Sequence, residues 1–113
     1  MLAANNRLRK AGDINRVYAK GRGVSTQGLG IKFLRTGLAT YRLAIVVGKK
    51  VSKKAVVRNR IRRRLVEQVK DPGIKIPAGY DIILTVHEDL SQLPTAELAS
   101  RLGALLAKSA IIK

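Results

Sequence analysis

The 113-residue chain is long enough for one packed core and too short for two, so a single domain over residues 1–113 is expected. Its 23 Lys and Arg against 7 Asp and Glu give a formal charge of +16, a self-repulsion that a polyanionic partner would offset. With no cysteine, disulfides, thiolate zinc sites and cysteine nucleophiles are excluded. The opening MLAANNRLRK lacks the apolar run of a signal peptide, and no stretch has membrane-spanning length. A soluble, cytoplasmic protein is the expectation.

In chain order, DINRVYAK (Asp13–Lys20) sets Ile14, Val17 and Tyr18 at i, i+3 and i+4. That spacing predicts a short helix with Asp13 as N-cap and Gly21 and Gly23 at its end. Leu29, Ile31 and Phe33 then alternate with Gly30 and Lys32, the period of a half-exposed strand. Pattern alone leaves open a further short strand near Gly23–Ser25. Thr36-Gly37 marks a turn, and YRLAIVVG (Tyr41–Gly48) predicts a stronger, β-branched strand. The period changes near Ala55. Val57, Ile61, Leu65 and Val69 stand four apart and predict a helix to Val69, stopped by Asp71-Pro72-Gly73. Pro77-Ala78-Gly79 is a second breaker, and YDIILTV (Tyr80–Val86) predicts another strand. Pro94 suits the first turn of a last helix whose buried face is Leu98, Leu102, Leu105 and Leu106. Helix, two or three strands, helix, strand, helix is an α+β order in which helices cover one sheet.

The stretch KKVSKKAVVRNRIRRRL (Lys49–Leu65) gathers nine Lys and Arg into seventeen residues without an acid. Before Glu67 the only acid in the chain is Asp13. On a helical wheel Arg60, Arg63 and Arg64 fall away from the apolar stripe, while Arg58 and Arg62 border its other edge. Lys49, Lys50, Lys53 and Lys54 occupy the turn leading into the helix. Free amides and the macrodipole at a helix start attract phosphate, so turn and helix together predict one phosphate-binding ridge. An ordinary solvated helix face intersperses Glu with Lys at four-residue spacing. Here only Glu67, at the far end, does so. Asn59 between two arginines would suit a DNA major groove. No second helix stands one short turn away, however, as a helix-turn-helix requires. Backbone and shape recognition of structured RNA fits at least as well.

The string AVVRNRIRRRL, preceded by GKKVSKK at a strand end, resembles the Arg-Asn-Arg signature of the bacterial ribonuclease P protein component. RLRKAGDINRVYAKG resembles that family's opening and PAGYDIILTV its last strand. The helix from about Thr95 to the tail Ile111-Ile112-Lys113 falls where the family's last helix does. The resemblance covers nearly the whole chain in order. It implies a two-layer α+β sandwich, α-β-β-β-α-β-α, with about four strands covered by helices. It also implies a left-handed β-α-β crossover, where pattern alone would suggest the right-handed form.

The resemblance further implies the protein subunit of a ribonucleoprotein endonuclease, one protein per ribonuclease P RNA. The RNA, with Mg²⁺, removes the 5′ leader of precursor tRNA, and the protein alone binds no cofactor. Lys49, Lys50, Lys53, Lys54, Arg58, Asn59, Arg60, Arg62 and Arg63 are then expected to face the RNA. Ile14, Val17, Tyr18, Arg22 and Lys32 are expected to meet the leader. Ile14 stands where the family commonly has Phe, Lys32 where a Tyr is often found, and Val66 where an arginine is frequent. Leader binding is therefore expected to lean more on charge than on stacking.

His87, Glu88 and Asp89 stand together after the last strand, but adjacent strand-end residues point to opposite sides and no second cluster completes a site. Loop and capping roles are expected for them, and no catalytic or metal-ligating residue is expected in the protein. Two other readings are a ribosomal or structural RNA-binding protein of similar fold, and a cationic membrane-active or DNA-compacting protein. The last needs bulky apolar anchors on a basic helix, and the Val57–Val69 stripe has no Trp or Phe.

Overall fold

The strand Tyr80–Val86 is buried on both faces, and the sheet is built around it. The structure, a computed structural model, describes residues 2–111; Ile112 and Lys113 of the expected tail lie outside the described residues. After a 3₁₀ turn at Ala4–Asn6 come α1 (Ala11–Lys20), β1 (Arg22–Thr26), β2 (Leu29–Arg35), β3 (Arg42–Val47), α2 (Ala55–Val69), β4 (Tyr80–Val86) and α3 (Thr95–Ser109). The four strands form one sheet in the order β1-β2-β4-β3, with β1, β2 and β4 antiparallel and β3 parallel to β4. Parallel neighbours need a crossover, and α2 supplies it. The open strand near Gly23–Ser25 exists as β1.

Side chains alternate across a strand, so the register sorts them onto two faces. Ile82, Leu84 and Val86 of β4, Leu43 and Val47 of β3, and Leu29, Ile31 and Phe33 of β2 share one face. There they pack with Ile61, Leu65 and Val69 of α2 and with Leu98, Leu102, Leu105 and Leu106 of α3. The stripes predicted for both helices are therefore the stripes that are buried. On the opposite face Ile83 packs with Val17 and Leu8, joined by Ile14, Leu34 and Ala44. This small second core seats α1 across β2 and β4 and leaves the rest of that face uncovered.

Two local features fix α1. At Gly21, its C-cap, a Cβ would stand 2.4 Å from the Val17 carbonyl oxygen and 2.9 Å from that of Phe33, so only glycine lets the helix end turn into the sheet. At the other end Asp13 is not the N-cap. The helix begins at Ala11, Lys10 holds the capping position without a side-chain bond, and Asp13 lies inside the first turn. Its carboxylate is turned toward Arg42. The Arg42 guanidinium donates through Nε and Nη2 to the two oxygens of Asp81 (2.8 and 2.6 Å) and through Nη1 to Asp13 Oδ2 (3.2 Å). Arg42 and Asp81 are register neighbours on β3 and β4, and the Asp81 side chain is 4% exposed. The hydrogen bonds that Arg42 donates to Asp81 are the first cause that pushes the Arg42 pKa above its ordinary value.

Removing one partner of such a pair leaves the other charge buried and uncompensated. Arg42→Ala is expected to cost about 3 kcal/mol of stability. Asp13→Ala, at the more exposed arm, should cost about 0.5–1 kcal/mol. Urea unfolding of the three proteins tests this, and equal small losses for both variants would show that Asp81 does not depend on Arg42.

Candidate nucleic-acid interface

The turn before α2 and the exposed side of α2 carry the densest charge of the molecule. Lys49, Lys50, Lys53 and Lys54 are all exposed, and Gly48 and Val51 are joined by a turn hydrogen bond (3.1 Å) that presents them. Lys54 is the N-cap of α2, its side chain makes no capping bond, and the first turn contains no acid. Helix starts favour Ser, Thr, Asp or Asn and acidic first turns because the amides there are unsatisfied and the dipole is positive. Here lysines surround the positive end instead, so the local potential favours an anion. Val56, 71% exposed in that first turn, adds an apolar surface beside the lysines.

The arginines of α2 divide into two sets, a division the helical wheel could not show. Arg64 donates to the carbonyls of Leu90 (2.6 Å) and Leu93, and Arg60 donates through Nε to that of Ser91 (3.1 Å). Both therefore fasten α2 to the loop between β4 and α3. Arg58 donates to the Ser52 carbonyl (2.9 Å) and holds the lysine turn. Arg62 donates to Asn59 Oδ1 (2.8 Å) and reaches the Val47 carbonyl (3.4 Å). Arg63 is exposed with no hydrogen bond to the described residues. Of the residues expected to face RNA, Lys49, Lys50, Lys53, Lys54 and Arg63 thus have side chains unengaged among the described residues, while Arg58, Asn59, Arg60 and Arg62 also hold the ridge together.

A second feature lies on the sheet face that α1 leaves uncovered. A groove of about 290 Å³ is lined by Tyr18 of α1, Gly23 and Ser25 of β1, Gly30 and Lys32 of β2, and Thr85 of β4 with His87 after it. Tyr18 is 44% exposed. Lys32 Nζ donates to the Tyr18 carbonyl (3.0 Å) and sits 5.7 Å from the centre of its ring. Small residues form the floor, and an aromatic and a cation form one wall.

Three of the five expected leader contacts do not line this groove. Val17 has 0% exposure and belongs to the core with Leu8 and Ile83, so it supports the wall without touching a ligand. Ile14 packs against the same cluster. Arg22 pairs with Phe33, and strand alternation puts it on the other face. Only Tyr18 and Lys32 of that set are brought together. His87 was missed as a groove residue. Its ring lies over Gly30, where a Cβ would approach Nε2 to 2.8 Å, so the glycine makes room for it.

The neighbouring acids take the loop roles expected of them. Glu88 pairs with Arg101, and Asp89 accepts the Ser91 N–H (2.8 Å). Hydrogen bonding from the Ser91 side chain, then from its N–H, holds the Asp89 carboxyl below the usual range. Among the described residues no group of three His, Cys, Asp or Glu could hold a metal ion. Nor is any helix there long and apolar enough to cross a membrane.

Ridge and groove belong to an α+β domain that carries its densest positive charge along one helix and an open groove across one sheet face. The family described as Ribonuclease P matches residues 2–110. A ribonuclease P protein component from Pseudanabaena is 39% identical over 113 residues, covering 99% of this chain and 97% of that protein. One from Alkaliphilus oremlandii is 34% identical over 98% of this chain and 96% of that protein. Among solved structures, the Staphylococcus aureus RNase P protein superposes with a TM-score of 0.83 at 27% identity, covering 96% of this chain and 98% of that one. The Thermotoga maritima RNase P protein gives 0.79 at 27% identity, covering 90% and 96%. The chain belongs to the ribonuclease P protein family. As the protein component of that ribonucleoprotein it binds RNA and acts in tRNA processing.

The two arginine sets are expected to separate on mutation. Arg64→Ala, which removes two charged hydrogen bonds, should cost about 2 kcal/mol of stability. Arg63→Ala should leave stability unchanged and flatten the salt dependence of RNA binding by about one in slope. Paired urea titrations and salt-dependent filter binding read both, and a stability loss for Arg63→Ala would erase the division.

Proposed function

We propose that the lysine turn and α2 dock on the catalytic RNA of ribonuclease P, and that the Tyr18–Lys32 groove takes the 5′ leader of precursor tRNA. The observation that carries this is the uncapped, acid-free start of α2, ringed by exposed lysines. Lys49, Lys50, Lys53, Lys54 and Arg63 supply phosphate contacts. Arg58, Asn59, Arg60 and Arg62 shape the ridge and contribute their remaining donors. In the groove, Tyr18 offers a stacking face and Lys32 a charge, while Gly23, Ser25 and Gly30 let a strand lie close to the sheet.

The chain's chemical contribution is positioning. Association of a catalytic RNA with precursor tRNA brings phosphates together, and a protein of charge +16 at the junction offsets that repulsion. Less Mg²⁺ is then needed, and leader contact favours precursor over mature tRNA, which has lost that strand. Among the described residues most carboxylates brace cations and turns and no three converge, which supports a holoenzyme whose Mg²⁺ is held by RNA. In this reading cleavage belongs to the RNA, one protein serves each RNA, and the assembly works in the cytoplasm.

The test is single-turnover cleavage of a precursor tRNA by a bacterial ribonuclease P RNA at low Mg²⁺. Wild-type protein should restore cleavage at the 5′ junction. The triple variant Lys49→Ala/Lys50→Ala/Arg63→Ala removes no internal hydrogen bond and should fail to assemble. Arg58→Ala/Arg60→Ala should also fail, with a loss of stability besides. Tyr18→Ala should weaken precursor affinity about tenfold, in line with one lost stacking contact, and leave mature tRNA affinity alone. RNA binding without rescue of cleavage would overturn the reading in favour of a ribosomal or structural RNA partner.

A further inference from the structure

A cavity of about 580 Å³ lies on the α2 side of the sheet, away from the Tyr18 groove, between the C-terminal half of α2 and the free edge of β3. Its apolar lining comes from Leu2, Leu43, Ile45 and Val66. Arg7, Arg62 and Arg63 stand around it with a single carboxylate, Glu67, among its lining residues. The volume is that of a small-ligand pocket, about 300–1,000 Å³.

The edge of β3 beside it is closed at two points. Leu8 N–H donates to the Leu43 carbonyl (3.0 Å), and Arg62 reaches the Val47 carbonyl (3.4 Å). The N–H and C=O of one strand residue point to the same side, and that side alternates along the strand. Leu43 faces outward, so Ile45 does too, and no hydrogen bond from the described residues reaches its N–H or C=O. The cavity therefore offers one donor and one acceptor side by side, above an apolar floor and among cations.

The occupant must match that arrangement. An added peptide strand needs a row of open groups, and here the row is interrupted on either side of Ile45 by Leu8 and Arg62. An unpaired nucleobase needs only one donor–acceptor pair on its edge, with apolar surface or a guanidinium plane against its faces. Its phosphate would meet the cationic rim. Charge and size both favour the nucleotide.

We propose that this cavity holds one unpaired base of the partner RNA, hydrogen-bonded to the Ile45 peptide edge, with its phosphate against Arg63. The proposal rests on the reading of α2 as the RNA-facing helix. It adds a base-binding subsite to what is otherwise a backbone-binding surface, and so gives the docking a fixed register.

The experiment follows methyl and amide resonances of the full chain by NMR during titration with AMP, ribose 5-phosphate or inorganic phosphate. AMP should shift the Ile45, Leu43 and Val66 methyls and the Ile45 amide, while the two probes without a base leave them in place. Val66→Glu should abolish that response and weaken binding to ribonuclease P RNA about tenfold, the loss of one base contact. The wild-type titration stands without the variant should Val66→Glu fail to fold. Silent pocket methyls at tens of millimolar AMP would overturn the proposal, as would equal shifts with ribose 5-phosphate. If the RNA still binds in that case, only the subsite falls. If the chain binds no ribonuclease P RNA at all, the functional reading falls and the subsite with it.

Discussion

Everything on the groove side of the molecule depends on one guanidinium. Arg42 holds Asp81 with two donors and Asp13 with a third, so β3, β4 and α1 are joined at a single side chain. Lysine has no planar fork to make the same paired contact. With Val17 pressed on Ile83 as the apolar anchor and Arg42 as the polar one, α1 lies at one place on the sheet. The groove is what remains of the face once that position is set. Its width is therefore a consequence of internal packing and not of the groove residues themselves.

The same economy governs charge. Asp13 and Asp81 are taken by Arg42, and Glu88 and Glu97 by Arg101. Asp71 and Asp89 accept backbone N–H groups two residues on and shape turns. Six of the seven acids are thus engaged in holding the fold, while Glu67, exposed on the basic helix, makes no such bond among the described residues. With 23 Lys and Arg against 7 acids, most surface cations find no acid to answer them, which leaves the folded chain under self-repulsion that bound polyanion relieves. Arginines of α2 that turn inward to loop carbonyls keep the helix in place despite that repulsion.

Periodicity made much of this legible. The ends of α2 and β4 could be read to the residue because a strong apolar period runs between breakers: Val57–Val69 before Asp71-Pro72-Gly73, and YDIILTV after Pro77-Ala78-Gly79. Pattern alone could only leave β1 open, since RGVST has one apolar residue and its strand is imposed by pairing with β2, a partner it meets only through the Gly28 turn (φ 72°). Asp13 looked like a cap because Ala11 and Gly12 carry no apolar signal; the helix runs through them, and a residue 29 positions away claims the carboxylate. Val17 and Tyr18 are indistinguishable on a wheel, yet one reaches Ile83 and the other stays in solvent. His87 gave no signal at all. Its place over Gly30 follows from the β2–β4 register, which no local window contains.

The residues at which this chain departs from the family resemblance point the same way. Lys32 is tied to the Tyr18 carbonyl and lies against its ring, so its ammonium is held in position in the groove. A fixed charge loses less entropy on binding than a free lysine would. On α1, Ile14 packs half-buried against Leu8, Val17 and Ile83 and strengthens the seat of the helix. The wall of the groove is thus stiffer and more cationic, and less able to stack. Affinity of that kind is insensitive to base identity and sensitive to salt.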